Sequence, residues 1–194
     1  MDVIGTHIIA QASVIYEQKL PDELIKLLCE EVEKLTPEDY EPAEIGNPIE
    51  SENDSSIRNS KVSWWFEDHW ACSVLSHYFN KANREVWEYD LNHLDRIQIT
   101  SYDAKNFYTW HCDYGVSFDE RYTRKLSCSL VLTDESEYTG GELELIGYDG
   151  KKIIAPTEKG NMIIFDSRVP HRVKKLQSGK RISLVAWMLG PKLR

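Results

Sequence analysis

No stretch of this 194-residue chain is apolar for long enough to cross a bilayer: the longest runs, Met162–Phe165 and Leu184–Leu189, fall far short of the roughly 20 residues a spanning helix needs. The opening Met1-Asp2-Val3-Ile4-Gly5-Thr6-His7 has neither the basic start nor the apolar stretch of a signal peptide, so a soluble, cytoplasmic protein is expected. Cysteine is sparse. Cys29, Cys72, Cys112 and Cys128 include no C-x-x-C pair, which argues against a zinc finger or a disulfide framework and for reduced thiols. Acidic residues are absent after Asp166, where Arg168, Arg172, Lys174, Lys175, Lys180, Arg181, Lys192 and Arg194 follow. Residues 1–60 reverse this balance, with a net charge of −10 against +1 for the remainder. The overall −9 speaks against a nucleic-acid partner, although the basic C-terminal strip could meet an anion or an acidic partner.

What is present suffices for a core. With 41% hydrophobic and 11% aromatic residues the chain can fold without a structural metal, and its length predicts a single domain over 1–194. Thr6–Tyr16 is β-branched and apolar and reads as a strand. Pro21 then opens a helix with Leu24, Leu28, Val32 and Leu35 on one face. Residues 36–60 are acidic, hold three prolines and show no period, the signature of a long loop. A second helix is predicted from about Asp68 to Ala82, with Trp70, Val74, His77 and Tyr78 at helical spacing. From Leu94 onward short strands alternate with turns such as Gly140-Gly141 and Ser178-Gly179. The expectation is an α+β protein with a β-sandwich or barrel core at 94–190 and the helical and loop part, 1–93, packed on one sheet.

Six histidines occur, and His-x-Asp appears twice, at His93-Leu94-Asp95 and His111-Cys112-Asp113. The first pair suits a turn or helix end before the core strands. The second lies on an aromatic strand, where His111 and Asp113 share a side while Cys112 points away. Sixty residues later, His171 follows the apolar strand Met162–Phe165. Two histidines and one carboxylate form the facial triad of a non-haem Fe(II) site, and zinc hydrolases can use a similar set. Arg181 discriminates. It sits ten positions after His171, across the Ser178-Gly179 turn, so a hairpin would return it toward the metal, pointing inward with Ser183, Val185 and Trp187. A guanidinium in a β core requires an anion, and a dicarboxylate suits its fork.

The chain resembles the Fe(II)/2-oxoglutarate-dependent oxygenases, in the prolyl 4-hydroxylase-like group that includes PKHD-type hydroxylases. The matching stretches are Tyr102-Asp-Ala-Lys-Asn-Phe-Tyr108-Thr-Trp-His111-Cys-Asp113, Arg124–Thr133, Tyr138-Thr-Gly-Gly-Glu-Leu143, His171-Arg-Val173 and Gly179–Trp187. The resemblance covers roughly residues 95–190; the N-terminal part matches only loosely, through Arg58-Asn-Ser60. It implies a double-stranded β-helix, a distorted jelly roll enclosing the iron. It further implies His111, Asp113 and His171 as metal ligands, Arg181 on the distal carboxylate of 2-oxoglutarate, and Tyr102 hydrogen-bonding the same carboxylate. Trp187 is implied near the iron on the substrate side. Fe(II), 2-oxoglutarate and O2 are the expected cofactor set, with ascorbate as a candidate addition. The expected substrate is a prolyl residue of a peptide or protein.

A free amino acid or small molecule is the nearest alternative substrate, and a non-catalytic β-helix binding module the alternative of a different class. His7, His69 and His77 read as surface or core residues rather than ligands. Trp64-Trp65 reads as core, or as a surface beside the cleft on which a proline ring could stack. Arg58 either positions a substrate or caps a loop, and Ser129 and Ser183 are weaker candidates for the anion pocket.

Overall fold

A computed structural model describes residues 6–7, 15–46, 52–115 and 121–192. The elements run β1 (Thr6–His7), β2 (Ile15–Lys19), α1 (Asp22–Glu33), β3 (Glu41–Pro42), β4 (Arg58–Asn59), β5 (Lys61–Trp65) and α2 (Trp70–Val86). They continue with β6 (Leu94–Asp103), β7 (Phe107–His111), β8 (Tyr122–Val131), β9 (Tyr138–Gly140) and β10 (Leu143–Ile146). Last come β11 (Lys152–Ile154), β12 (Asn161–Asp166), β13 (His171–Val173) and β14 (Leu176–Pro191). The larger sheet has the order β1-β2-β12-β8-β14-β6-β5-β3, with β9 pairing the start of β14; the smaller is β11-β10-β13-β7-β4. This is a double-stranded β-helix in an α+β chain, as the sequence leads one to expect. No helix among the described residues is long and apolar enough to cross a membrane.

Period-two alternation makes the two layers. Ile97 and Ile99 of β6, Leu126, Cys128 and Leu130 of β8, and Leu184, Ala186 and Met188 of β14 face the helices. There they meet Ile25, Leu28 and Val32 of α1 and Leu75, Phe79 and Ala82 of α2. β12 serves both layers, with Met162 and Ile164 on the helical side and Ile163 and Phe165 between the sheets. Between the sheets Ile163 and Phe165 join Leu143, Leu145, Val173 and Leu176.

α1 begins after Pro21 with Asp22 and Glu23 in its first turn, where carboxylates suit the helix dipole. Its inner face uses Ile25 rather than Leu24. α2 starts at Trp70, capped by His69 Nδ1 accepting from the Ala71 amide at 3.2 Å. Its buried face is Ala71, Cys72, Leu75, Phe79, Ala82 and Asn83, one position away from the predicted stripe, and Trp70 and His77 face outward. The segment 36–60 is not featureless: it carries a 3-10 turn at Pro37–Asp39, β3 and β4. Of the predicted strand over Thr6–Tyr16, residues 8–14 lie outside the described residues, as do residues 47–51 of the acidic segment and Arg194 of the basic strip.

One predicted feature is corrected. β13 and β14 do not form a hairpin: β13 belongs to the smaller sheet and β14 to the larger, and Ser178-Gly179 lies within β14. Gly179 has φ +80° and packs so closely on the turn before β9 that a Cβ would lie 2.1 Å from the Glu137 carbonyl oxygen. Glycine is therefore required by both conformation and contact. Gly179→Ala is expected to cost about 2 kcal/mol or more and to lower Tm by about 5 °C. An unchanged Tm in a thermal melt would contradict this packing.

Candidate metal and anion site

β7 and β13 are antiparallel neighbours in the smaller sheet, and His111 and His171 are direct cross-strand partners. Their ring centroids are 4.1 Å apart. Each imidazole is oriented by a backbone carbonyl two residues upstream: Nδ1 of His111 to Thr109 O at 2.8 Å, and Nδ1 of His171 to Val169 O at 3.0 Å. With Nδ1–H donating to a carbonyl, Nε2 of each ring keeps its lone pair for a metal.

Asp113 completes the cluster by a route other than strand parity. β7 ends at His111, and the chain then bends so that the amides of Asp113 and Tyr114 both donate to the Ser167 carbonyl. Asp113 Oδ2 lies 3.4 Å from His171 Nε2, and Oδ1 lies 3.9 Å from His111 Nε2. One ligand atom from each of the three residues fits within 4.8 Å of the others. Ser127 donates to Asp113 Oδ2 at 2.7 Å and sits 2.9 Å from the Ser167 hydroxyl, which fixes the carboxylate. Cys112 turns outward, with Sγ near the Arg168 carbonyl. Two nitrogens and a carboxylate converging from one side match the donor set of a divalent transition metal with positions left open.

Burial alone would raise the Asp113 carboxyl, but His171, His111, Arg124 and the Ser127 hydroxyl outweigh it and hold it below the ordinary carboxylate range. Desolvation, with the neighbouring His171 adding to it, pushes His111 down to about 3. Both ligand types are therefore in their metal-binding protonation states at neutral pH.

Arg181 stands directly opposite Tyr102 across the β14–β6 pairing. Both are 3% exposed, and the guanidinium lies 5.9 Å from the Tyr102 ring centre. Arg181 Nη1 donates to Ser183 Oγ at 3.1 Å, and among the described residues no carboxylate is within ion-pair reach. A buried cation balanced only by a hydroxyl calls for an anion. Desolvation raises the Tyr102 phenol, so it is a neutral donor. Arg181, Tyr102, Ser129 and Ser183 line the same cavity of about 550 Å³ as the His–Asp–His cluster.

Of the other residues singled out, Trp64 lines this cavity and Trp65 does not; Trp65 stacks on His69 instead, with centroids 4.1 Å apart. Arg58 reaches the cavity wall from β4, its guanidinium 4.6 Å over the Tyr108 ring. His93 is exposed, and among the described residues no further ligand joins the first His-x-Asp pair in a metal-binding cluster. Three further participants lie within the stretches that carry the resemblance but were not singled out as site residues. Tyr108 stacks on His111 at 3.5 Å, Ser127 holds Asp113, and Arg124 lies 3.6 Å over the Trp187 ring. Only strand parity on β8 could have indicated Ser127, which alternates with the core residues Leu126 and Cys128.

Residues 97–189 match the family described as the 2OG-Fe(II) oxygenase superfamily. A PKHD-type hydroxylase of Rippkaea orientalis is 33% identical over 93 residues, which is 47% of this chain and 41% of that protein. The matched segment thus spans about two fifths of the length of the curated relatives. Among solved structures, a Pseudomonas putida prolyl-4-hydroxylase superposes with a TM-score of 0.72 at 22% identity, covering 92% of this chain and 93% of that one. A prolyl hydroxylase from Trichoplax adhaerens, in complex with a peptide fragment of the hypoxia inducible factor oxygen degradation domain, gives 0.73 at 18% identity over 92% and 83% of the two chains. These likenesses share the β-helix fold.

The His111 environment makes a pH prediction for the metal-free protein. An unfolded histidine takes up a proton near pH 6.5, whereas folded His111 resists protonation down to about 3. Between those values the unfolded chain binds the extra proton, so stability falls as pH falls. Tm should drop from pH 7 to 5, and His111→Asn should flatten that slope. An equally steep slope in the variant would contradict a buried neutral imidazole.

Proposed function

We propose that this chain, whose residues 97–189 match the 2OG-Fe(II) oxygenase superfamily, is a 2-oxoglutarate-dependent dioxygenase that hydroxylates a prolyl residue in a peptide or protein. The observation that carries the reading is a single cavity holding the His–Asp–His cluster, a buried unpaired guanidinium and an aromatic wall. In this assignment His111 Nε2, Asp113 and His171 Nε2 hold Fe(II). Arg181, with Tyr102 and Ser183, takes the distal carboxylate of 2-oxoglutarate. When bound, Fe(II) with 2-oxoglutarate and O2 supplies the oxidising power for inserting oxygen into a C–H bond, releasing succinate and CO2.

The protein's own contribution is placement and exclusion. The carbonyls of Thr109 and Val169 set both imidazole planes, and Ser127 fixes the carboxylate between them. Arg181 pulls a dicarboxylate to the depth of its guanidinium and leaves its other end toward the cluster. Tyr108, stacked on His111, keeps water from one side of that ring. Trp64 and Trp187 line the cavity with centroids 6.5 Å apart and planes inclined by 38°, an aromatic wall suited to a pyrrolidine ring. The prolyl hydroxylases among the structural neighbours, one holding a peptide, support that choice of substrate.

The test is turnover of a prolyl-peptide library with Fe(II), 2-oxoglutarate and O2. One oxygen atom gained on proline per succinate formed is expected; turnover confined to free amino acids or other small molecules would overturn the peptide assignment. Arg181→Ala should raise the KM for 2-oxoglutarate about 100-fold, with Fe(II) affinity within about twofold. An unchanged KM would remove Arg181 from this role. Trp64→Ala should lower kcat/KM for the peptide about tenfold while the KM for 2-oxoglutarate holds; parallel losses in both would make Trp64 a structural residue.

A further inference from the structure

Asp95, from the first His-x-Asp pair, lies beside the cavity rather than on the surface. Its side chain is only 10% exposed, and each of its two oxygens meets a different arginine. Oδ1 is 3.3 Å from Arg96 Nε, and Oδ2 is 3.5 Å from Arg124 Nη2. Each guanidinium in turn covers an indole of the cavity wall: Arg96 lies 5.3 Å from the Trp64 ring centre and Arg124 lies 3.6 Å from that of Trp187. The two indoles face each other at 6.5 Å with planes inclined by 38°. Carboxylate, two cations and two aromatic rings thus form one connected array.

The topology explains why a single carboxylate can do this. β14 runs between β6 and β8, so Asp95 on β6 and Arg124 on β8 lie two strands apart, about 10 Å across the sheet. They meet where both neighbours of β14 carry an extra residue: β6 runs from Ile97 to Leu94 against Ala186 to Met188, and β8 runs from Leu126 to Arg124 against Met188 to Leu189. Such bulges bend the strand that carries them and re-aim its side chains, here Asp95 and Arg96 on β6. Trp187 of β14 keeps its pairing with Ser127 and lies beneath the arginine that Asp95 holds. The ladder sets its backbone, but its indole Nε1 is buried without a hydrogen-bond partner, so no hydrogen bond from the ring fixes the ring plane.

We propose that Asp95 is a positioning residue for substrate: by pairing with Arg96 and Arg124 it locks the Trp64–Trp187 wall into the one geometry that accepts the substrate ring. The proposal rests on the reading of this cavity as the site of a prolyl substrate. Asp95 touches neither the metal ligands nor Arg181 and acts only through the two arginines. Neutralising it removes the one carboxylate that the two guanidiniums share, and the two rings lose their common orientation.

The experiment uses Asp95→Asn, with Arg96→Gln as a second variant that cuts one arm at a more exposed position. Paired indoles at this distance give an exciton couplet in the far-ultraviolet circular dichroism, and Trp64→Phe identifies the part due to this pair. In the metal-free, substrate-free protein both variants should lose most of that couplet, while Asp95→Glu should restore it in part. With a prolyl peptide, KM should rise about tenfold in Asp95→Asn and kcat should stay within about twofold. A folded Asp95→Asn or Arg96→Gln protein with the couplet intact overturns the proposal, as does an unchanged peptide KM. Should the wild-type protein hydroxylate no prolyl peptide, the substrate reading fails on that result, while the couplet still decides whether Asp95 orders the two rings.

Discussion

One strand has to serve two incompatible environments, and the rest of the molecule follows from how β14 does so. Its even-numbered residues Leu184, Ala186 and Met188 bury against the helices, and its odd-numbered residues Arg181, Ser183, Val185 and Trp187 line the cavity. A slip of one residue would drive the guanidinium into the apolar layer and expose leucine to the site. The pairings with β6 and β8 prevent this, because both neighbours alternate in the same sense: Ile97 and Ile99 against Gln98, Thr100 and Tyr102, and Leu126 and Leu130 against Ser127 and Ser129. The functional side chains are therefore held in place by the apolar residues between them.

Two buried charges of opposite sign remain within this frame, and they are not partners of one another. Asp113 is ringed by two imidazoles and a serine, while Arg181 has a hydroxyl and a phenol ring. A protein that merely needed stability would have paired them or replaced both with apolar residues. Keeping them apart in one cavity leaves a cation deficit at one end and an anion deficit at the other. A divalent metal answers the first and a dicarboxylate the second, which is the cofactor pair of the 2OG-Fe(II) oxygenases. The arrangement ties the chemistry to electrostatics that the fold already carries.

Much of this was legible in the sequence, because alternation is local and the metal-ligand spacing is distinctive. A sandwich or barrel core, the His111–Asp113–His171 cluster and the inward position of Arg181 could be anticipated from residue order, and the family resemblance implied the β-helix. The route to some of them could not. Ser178-Gly179 carries the residues of a turn, yet the glycine serves a close approach to Glu137 inside a continuous strand. The face of α2 was misjudged because Trp70 and His77 lie at helical spacing, whereas the smaller Ala71, Cys72 and Ala82 fit against the sheet. The roles of Arg124 and Ser127 could not be read from the sequence, because Asp95 and Asp113, the carboxylates they meet, come from other strands, and no window of sequence contains such a pair.

The boundary of the family likeness runs through the cavity. The match begins at residue 97 and takes in the three candidate metal ligands, Tyr102, Arg181, Arg124 and Trp187. Trp64, Arg96, Asp95 and the wall contributed by Glu41, Glu44 and Arg58 lie before it. The candidate metal ligands and Arg181 therefore lie in the matched segment, and residues that precede it complete the wall around Trp187. That part is also the acidic one: residues 1–60 carry net −10. Two cationic residues, Arg58 and Arg96, are nevertheless held on the cavity side of it, each laid over an aromatic ring. A stacked guanidinium is less available to an incoming anion and more useful as a brace, so the positive charge on this wall serves to hold its aromatic rings.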